Sequence, residues 1–227
     1  MNWLLNYYEI VAPHLPGYVS AVIIVLQVMM LSTFLSWVIG LTTALGKMLN
    51  SRILRAPFSF YIWFIRGTPL LVQLFIIYFG LNQFGLRLPA LPAGIIGLSI
   101  NSGAYVAEIF RSGFMAIPKG QMESAVSLGM SKAMAFRRII LPQIIRIIMP
   151  PLTNQAVNVV KDTSLLSTIT VMEITLHTNI AVATTFRSFD FYLISALLYL
   201  SLTSLLSLLA KHFERRQAVA FASESSR

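Results

Sequence analysis

The sequence predicts an all-α integral membrane protein with about five transmembrane helices in a single domain. Three observations predict it. Of 227 residues, 56% are hydrophobic and 11% are charged, less than half the charge of a soluble domain. Several stretches long enough to cross a bilayer carry no charge, and the basic residues gather between alternate stretches. The absence of cysteine excludes a disulfide scaffold, and so apolar a composition excludes disorder. Seventeen Lys and Arg against eight Asp and Glu leave a net charge of +9. In a soluble chain that balance suits nucleic acid. In a chain this apolar it fits basic loops on one face of a membrane.

A bilayer core of about 30 Å takes about 20 apolar residues as a helix. Ile10 to Gly46 has no formal charge, and Tyr18 to Leu45 gives the first span. Ala56 to Leu86, with Arg66 as its single charge, gives the second; Leu88 to Ala107 gives the third and Phe191 to Ala210 the last. The Gly67-Thr68-Pro69 run should kink the second, because proline frees a backbone carbonyl. A straight span from Ile139 to Val160 would hold Arg146 and two interior prolines, Pro150 and Pro151. The expectation is therefore surface helices over Lys119 to Ile148 and a fourth span opening at Pro150–Pro151, where the missing N–H costs nothing. That span, Pro151 to Met172, sets Lys161 and Asp162 about 15 Å in, near the midplane.

Five spans put the two ends on opposite sides. With the N-terminus outside, thirteen basic residues fall inside, from Lys47, Arg52 and Arg55 through the Arg111–Arg146 group to the tail after Lys211. Only Arg87 and Arg187 fall outside, with Arg66 and Lys161 left within spans. That asymmetry orients the chain. Residues 1–17 read as an outside interfacial segment with Trp3, Tyr7 and Tyr8. Residues 18–210 form the transmembrane domain, with a long inside loop at about 114–148, and 211–227 form a fraying cytoplasmic tail. The first basic residue is Lys47, so no signal peptide is expected.

The long inside loop carries the most informative pattern. Glu123-Ser124-Ala125, three residues, Gly129, nine residues and Ile139-Ile140-Leu141-Pro142 closely resemble the EAA signature of the membrane subunits of bacterial ABC importers, with Ser124 as the one departure. Three further segments resemble the polar amino-acid branch of these permeases: Arg66-Gly67-Thr68-Pro69-Leu70-Leu71-Val72-Gln73, Asn101-Ser102-Gly103-Ala104-Tyr105-Val106-Ala107-Glu108 with Arg111, and Lys161-Asp162-Thr163-Ser164-Leu165. The resemblance implies a type I importer fold in an inner membrane. It implies a separate ATPase subunit that binds ATP and Mg, a second permease chain, and a periplasmic or lipid-anchored amino-acid-binding protein. It also implies that Glu123, Ser124, Ala125, Gly129, Leu141 and Pro142 dock the ATPase. Small residues at Ser124 and Ala125 allow close approach, and Gly129 permits a turn that other residues resist.

The span residues can also be read without the family. Charges at membrane depth are costly and either pair or line a polar cavity. Asn101, Tyr105 and Glu108 follow an i, i+4, i+7 pattern on one helical face. Lys161 suits a carboxylate and Asp162 an ammonium, so these residues, with Thr163 and Ser164, form the candidate substrate site. Glu108 remains for a cationic side chain, which favours arginine over histidine or glutamine. The alternative is that Lys161 pairs with Asp162 or Glu108 merely to hold helices together. Arg66 either lines the pathway or stabilises a dimer, with the structural role favoured. His14, His177 and His212 are scattered without acidic partners, so no metal site is expected. No catalytic residue is expected either: Gly46-Lys47 is followed by Met48, and the phosphate-cradling loop of an ATPase is absent. An ion-coupled carrier or channel working alone is the competing function, weakened by the lack of an inverted repeat. An intramembrane enzyme lacks its constellation.

Overall fold

The computed structural model describes the backbone of residues 8–225 and side chains as far as Lys211. Trp3 and Tyr7 lie outside the described residues. Nine α-helices follow one another with no strand among the described residues: α1 (Leu15–Lys47), α2 (Arg52–Gly67), α3 (Leu70–Phe75), α4 (Ala90–Met115), α5 (Lys119–Ser127), α6 (Lys132–Ala135), α7 (Leu141–Asp162), α8 (Ile174–Thr185) and α9 (Ser188–Ser225). Three runs are long and apolar enough to cross a membrane: Tyr8–Lys47, Ala90–Met115 and Ser188–Lys211. Counting each of two bent pairs as one span brings the number to five.

The first bent pair lies in the second expected span. It is two helical runs, Arg52–Gly67 and Leu70–Phe84, set at 108°. The Gly67-Thr68-Pro69 run breaks the helix outright, with Thr68 and Pro69 both extended. The break leaves carbonyls without helical partners. Gln73, buried in α3, donates its amide to the carbonyls of Ile65 and Thr68 at 2.9 and 3.2 Å and to the Thr68 hydroxyl at 2.7 Å. The α2 side chains Ile62 and Ile65 pack on Ala104 and Ala107 of α4, whereas Leu74 of α3 packs against Ala93 and Leu98 near its start. The two arms together cover the length of α4.

The second bent pair corrects the expected fourth span. Helical structure runs unbroken from Lys132 to Ile169 and then bends by 50° into α8. No new span opens at Pro150–Pro151; both prolines sit inside α7. Two adjacent prolines remove only the N–H groups at 150 and 151, and a membrane helix absorbs that loss through local adjustment. The first-turn proline is Pro142 instead. Lys161 and Asp162 consequently close α7, about 30 Å from Leu141 at 1.5 Å per residue, and Thr163–Ile169 continues as a 3₁₀ turn.

Both ends also extend beyond expectation. Residues 8–17, read as interfacial, are already helical and run into α1 through a 3₁₀ turn at Pro13. At the other end α9 continues to Ser225 rather than stopping at Ala210. No glycine or proline interrupts it from Ser188 onward, so nothing in the sequence ends the helix. Glu173, in a segment that the sequence left uninformative, is fully buried. Its carboxylate caps α8 by accepting from the Thr175 and Leu176 N–H groups at 2.8 and 2.9 Å, and it accepts from the Tyr199 hydroxyl of α9 at 2.6 Å.

The central contact is between α1 and α4. Ser32, Ser36, Gly40, Thr43 and Ala44 of α1 are buried, as are Ser99, Ser102, Gly103 and Ala104 of α4. Small residues let two backbones approach closely where lipid offers no hydrophobic drive. A Cβ at Gly40 would collide with Val106, and one at Gly103 would meet Ile39 Cγ2 at 2.8 Å and the Tyr61 hydroxyl at 2.9 Å. Gly40→Ala and Gly103→Ala should each cost about 1–3 kcal/mol through overpacking. Thermal unfolding of the detergent-solubilised chain should show Tm lowered by several degrees for each; an unchanged Tm would place the α1–α4 contact elsewhere.

Candidate functional site

Two polar cavities lie along α4 and α7. The larger, about 590 Å³, is lined by Thr68, Pro69 and Leu70 at the α2–α3 break, Asn101 and Tyr105 of α4, Gln155, Asn158, Lys161 and Asp162 of α7, and Leu165. The smaller, about 310 Å³, is lined by Arg66, Tyr105, Glu108, Ile109, Ser112 and Gln155. Tyr105 and Gln155 belong to both, so the cavities adjoin. The helical face formed by Asn101, Tyr105 and Glu108 runs from one into the other.

The polar groups of the larger cavity are held in place. Asn101 donates its amide to Gln73 at 3.0 Å, which ties α4 to the broken helix. Gln155 donates to the Ser102 hydroxyl at 3.1 Å, which ties α7 to α4. Among the described residues neither side-chain carbonyl oxygen accepts a hydrogen bond. Among the described residues no ion pair joins Lys161 to Asp162 or to Glu108. Adjacent residues on a helix point apart, so the two charges form no direct ion pair. Thr163 and Ser164 stand differently from expectation. Thr163 is fully buried, its hydroxyl donates to the Val160 carbonyl at 2.7 Å, and Ser164 donates to the Lys161 carbonyl at 2.7 Å. Neither lines the cavity. At the start of the 3₁₀ turn a hydroxyl finds a helix carbonyl more readily than a ligand.

Glu108 is engaged. It accepts from Lys47 Nζ at 2.7 Å and from Arg111 Nε and Nη2 at 2.9 and 2.7 Å. Lys47 ends α1, so this carboxylate clamps the end of α1 to α4. Arg66 lies over the Tyr105 ring, its Cζ 5.2 Å from the centroid, within range of a cation–π contact.

The loop elements separate into exposed and buried residues. Glu123 and Ser124 are exposed on α5, and Gly129 turns the chain with φ at +84°, a conformation that suits glycine. Ala125 is buried within its own chain at 2% exposure, so it does not present a surface to a partner. The exposed apolar residue beside the turn is Leu128, at 83%. Leu141 and Pro142 are half-buried at the start of α7. Next to them a cavity of about 480 Å³ is lined by Ala133, Met134, Arg137 and Arg138. Sequence reasoning missed Gln155, Asn158 and Leu128. The first two had a visible signal, since carboxamides at i and i+3, followed by Asp162, place polar groups on one helical face.

Comparison with known proteins relates this chain to transport subunits. Residues 36–219 match the family described as binding-protein-dependent transport system inner membrane component. The chain belongs to that family. It is 42% identical over 193 residues to the probable amino-acid ABC transporter permease protein YckA of Bacillus subtilis (strain 168), covering 85% of each chain. It is 36% identical over 219 residues to the putative glutamine transport system permease protein GlnP of Rickettsia felis (strain ATCC VR-1525 / URRWXCal2), covering 96% of this chain and 99% of the relative. It is 40% identical over 190 residues to the L-cystine transport system permease protein TcyB of Bacillus subtilis (strain 168), covering 82% and 80%. Among solved structures, an amino acid ABC transporter crystallised with histidines has a TM-score of 0.84 at 42% identity over 90% of this chain and 96% of the other. Inward-facing forms of the MetNI methionine ABC transporter share the fold, with a TM-score of 0.73 at 18% identity, covering 90% and 98%. The permease is thus a multi-pass inner-membrane subunit of an ABC importer, and ATP hydrolysis belongs to a partner subunit.

The Glu108 clamp makes a prediction that differs from substrate selection. Glu108→Gln would strip two cations of their partner, so uptake of arginine and of glutamine by the assembled importer should fall together, at least threefold, with a lowered Tm. A loss confined to arginine would mean that the carboxylate leaves Lys47 and Arg111 to meet the substrate.

Proposed function

We propose that the permease carries an amino acid with an uncharged polar side chain, glutamine foremost, from a solute-binding protein on the outer side to the cytoplasm. The observation that carries this reading is the lining of the larger cavity. Lys161 and Asp162, unpaired with each other, complement the α-carboxylate and α-ammonium of any amino acid. Asn101, Gln155 and Asn158 supply carboxamide groups for a polar side chain. A site built from such groups rejects a substrate that leaves them unpaired. The relatives named for glutamine and L-cystine support an amino-acid substrate. Arginine was favoured by the sequence on the strength of a free Glu108, and that support is gone because the carboxylate holds Lys47 and Arg111.

The assembly follows from the same reading. A five-span chain makes too thin a wall for a path, so a second permease chain completes it. The gathering of thirteen basic residues between alternate apolar stretches of the sequence supports an N-terminus outside and a C-terminus in the cytoplasm. The ATPase docks on the exposed turn of Glu123, Ser124, Leu128 and Gly129, beside Leu141 and Pro142.

Two experiments test the reading. In proteoliposomes holding permease, ATPase and binding protein, uptake of radiolabelled L-glutamine should exceed that of L-arginine. Asp162→Asn should lower glutamine uptake at least tenfold, equivalent to about 1.4 kcal/mol. Preferential arginine uptake, or full activity of Asp162→Asn, would overturn the assignment. Gly129→Asp should leave membrane insertion intact while the ATPase no longer co-purifies. Retained ATPase and normal transport would remove the docking turn from the mechanism.

A further inference from the structure

Arg66 is a cation that the substrate site just described does not use. It stands in the last turn of α2, at the break. No carboxylate among the described residues lies within ion-pair distance of it. Its contact is the Tyr105 ring, and it lines the smaller cavity. A guanidinium at membrane depth is costly unless it is paired or faces a polar cavity that an anion can enter. Arg66 and Glu108 are the charged residues that line that cavity, and Glu108 is already paired with Lys47 and Arg111, which leaves the Arg66 charge without a carboxylate there. The guanidinium fork matches a carboxylate, with two parallel N–H donors.

We propose that Arg66 forms a second carboxylate subsite, which takes the α-carboxylate of the transported amino acid over from Lys161. Lys161 faces only the larger of these two cavities and Arg66 only the smaller, whereas Tyr105 and Gln155 face both. A zwitterion moving between them therefore slides past the same two side chains while its carboxylate exchanges one cation for another. Two anion sites of comparable strength let a substrate advance without leaving its charge unpaired at any point. Of the two sequence readings of Arg66, this proposal takes the one that places it on the path. The inference rests on the amino-acid transport reading and names a step within it.

The test uses the complete importer in proteoliposomes with radiolabelled L-glutamine, or L-arginine if the unaltered complex prefers it. Equilibrium binding to the nucleotide-free complex reads the larger cavity; uptake per ATP hydrolysed reads the passage. Arg66→Gln should leave binding within about twofold and lower uptake per ATP at least tenfold, and Arg66→Lys should recover part of the loss. Unchanged uptake per ATP for Arg66→Gln would overturn the proposal, and so would equal losses of binding and uptake. If neither Arg66→Gln nor Arg66→Lys yields an assembled complex by size-exclusion chromatography, Arg66 is a structural cation and the proposal falls. Lys161→Gln separates the two readings. Unchanged binding in that variant would sink the site in the larger cavity, whatever Arg66 does.

Discussion

The close approach of α1 and α4 is the constraint on which the rest depends. In lipid, helices gain nothing by hiding apolar surface, so small residues and short polar contacts must hold them. Gly40 faces Val106, Gly103 faces Ile39, and the Tyr61 hydroxyl of α2 donates to the Ile100 carbonyl at 2.6 Å. One face of α4 is committed to this packing. The remaining face, carrying Asn101, Tyr105 and Glu108, is left to line the cavities. A wider α1–α4 spacing would also separate Lys47 from Glu108, which meet at 2.7 Å across that contact.

Breaks in helices do the rest. The extended pair Thr68–Pro69 turns the chain by 108°, and Gln73 ties the loose carbonyls to Asn101. The end of α7 brings Lys161 and Asp162 to the same cavity. Irregular backbone at membrane depth is tolerated where it is buried in protein or faces a water-filled space. At the α2–α3 break it faces the larger cavity, so the polar groups of that cavity gather where the helices stop.

The sequence made the apolar spans legible because their cause is local. Tyr18–Leu45, Leu88–Ala107 and Phe191–Ala210 each lie within or close to an observed helix, since apolarity over about 20 residues needs no knowledge of neighbours. The prolines misled because two rules compete: Pro142 obeys the first-turn preference, while Pro150 and Pro151 are absorbed inside the helix. Glu108 misled for a different reason. Its partner Lys47 is 61 residues away, and no periodicity relates the two. Ala125 is small enough to suit either a partner or the core, and only packing decides that it is buried. The carboxamides Gln155 and Asn158 were legible, and their spacing was the overlooked signal.

Family membership and cavity chemistry converge on transport, but they carry different parts of it. The match over residues 36–219 carries the role of membrane subunit. The proposed role of Lys161 and Asp162 in the larger cavity concerns how an amino acid would be held. The most direct measurement is a structure of the assembled importer with bound L-glutamine. Its carboxylate should lie at Lys161, its ammonium at Asp162 and its side-chain amide against Asn101, Gln155 and Asn158. An amino acid seated elsewhere, with Lys161 and Asp162 turned away from it, would contradict the assignment.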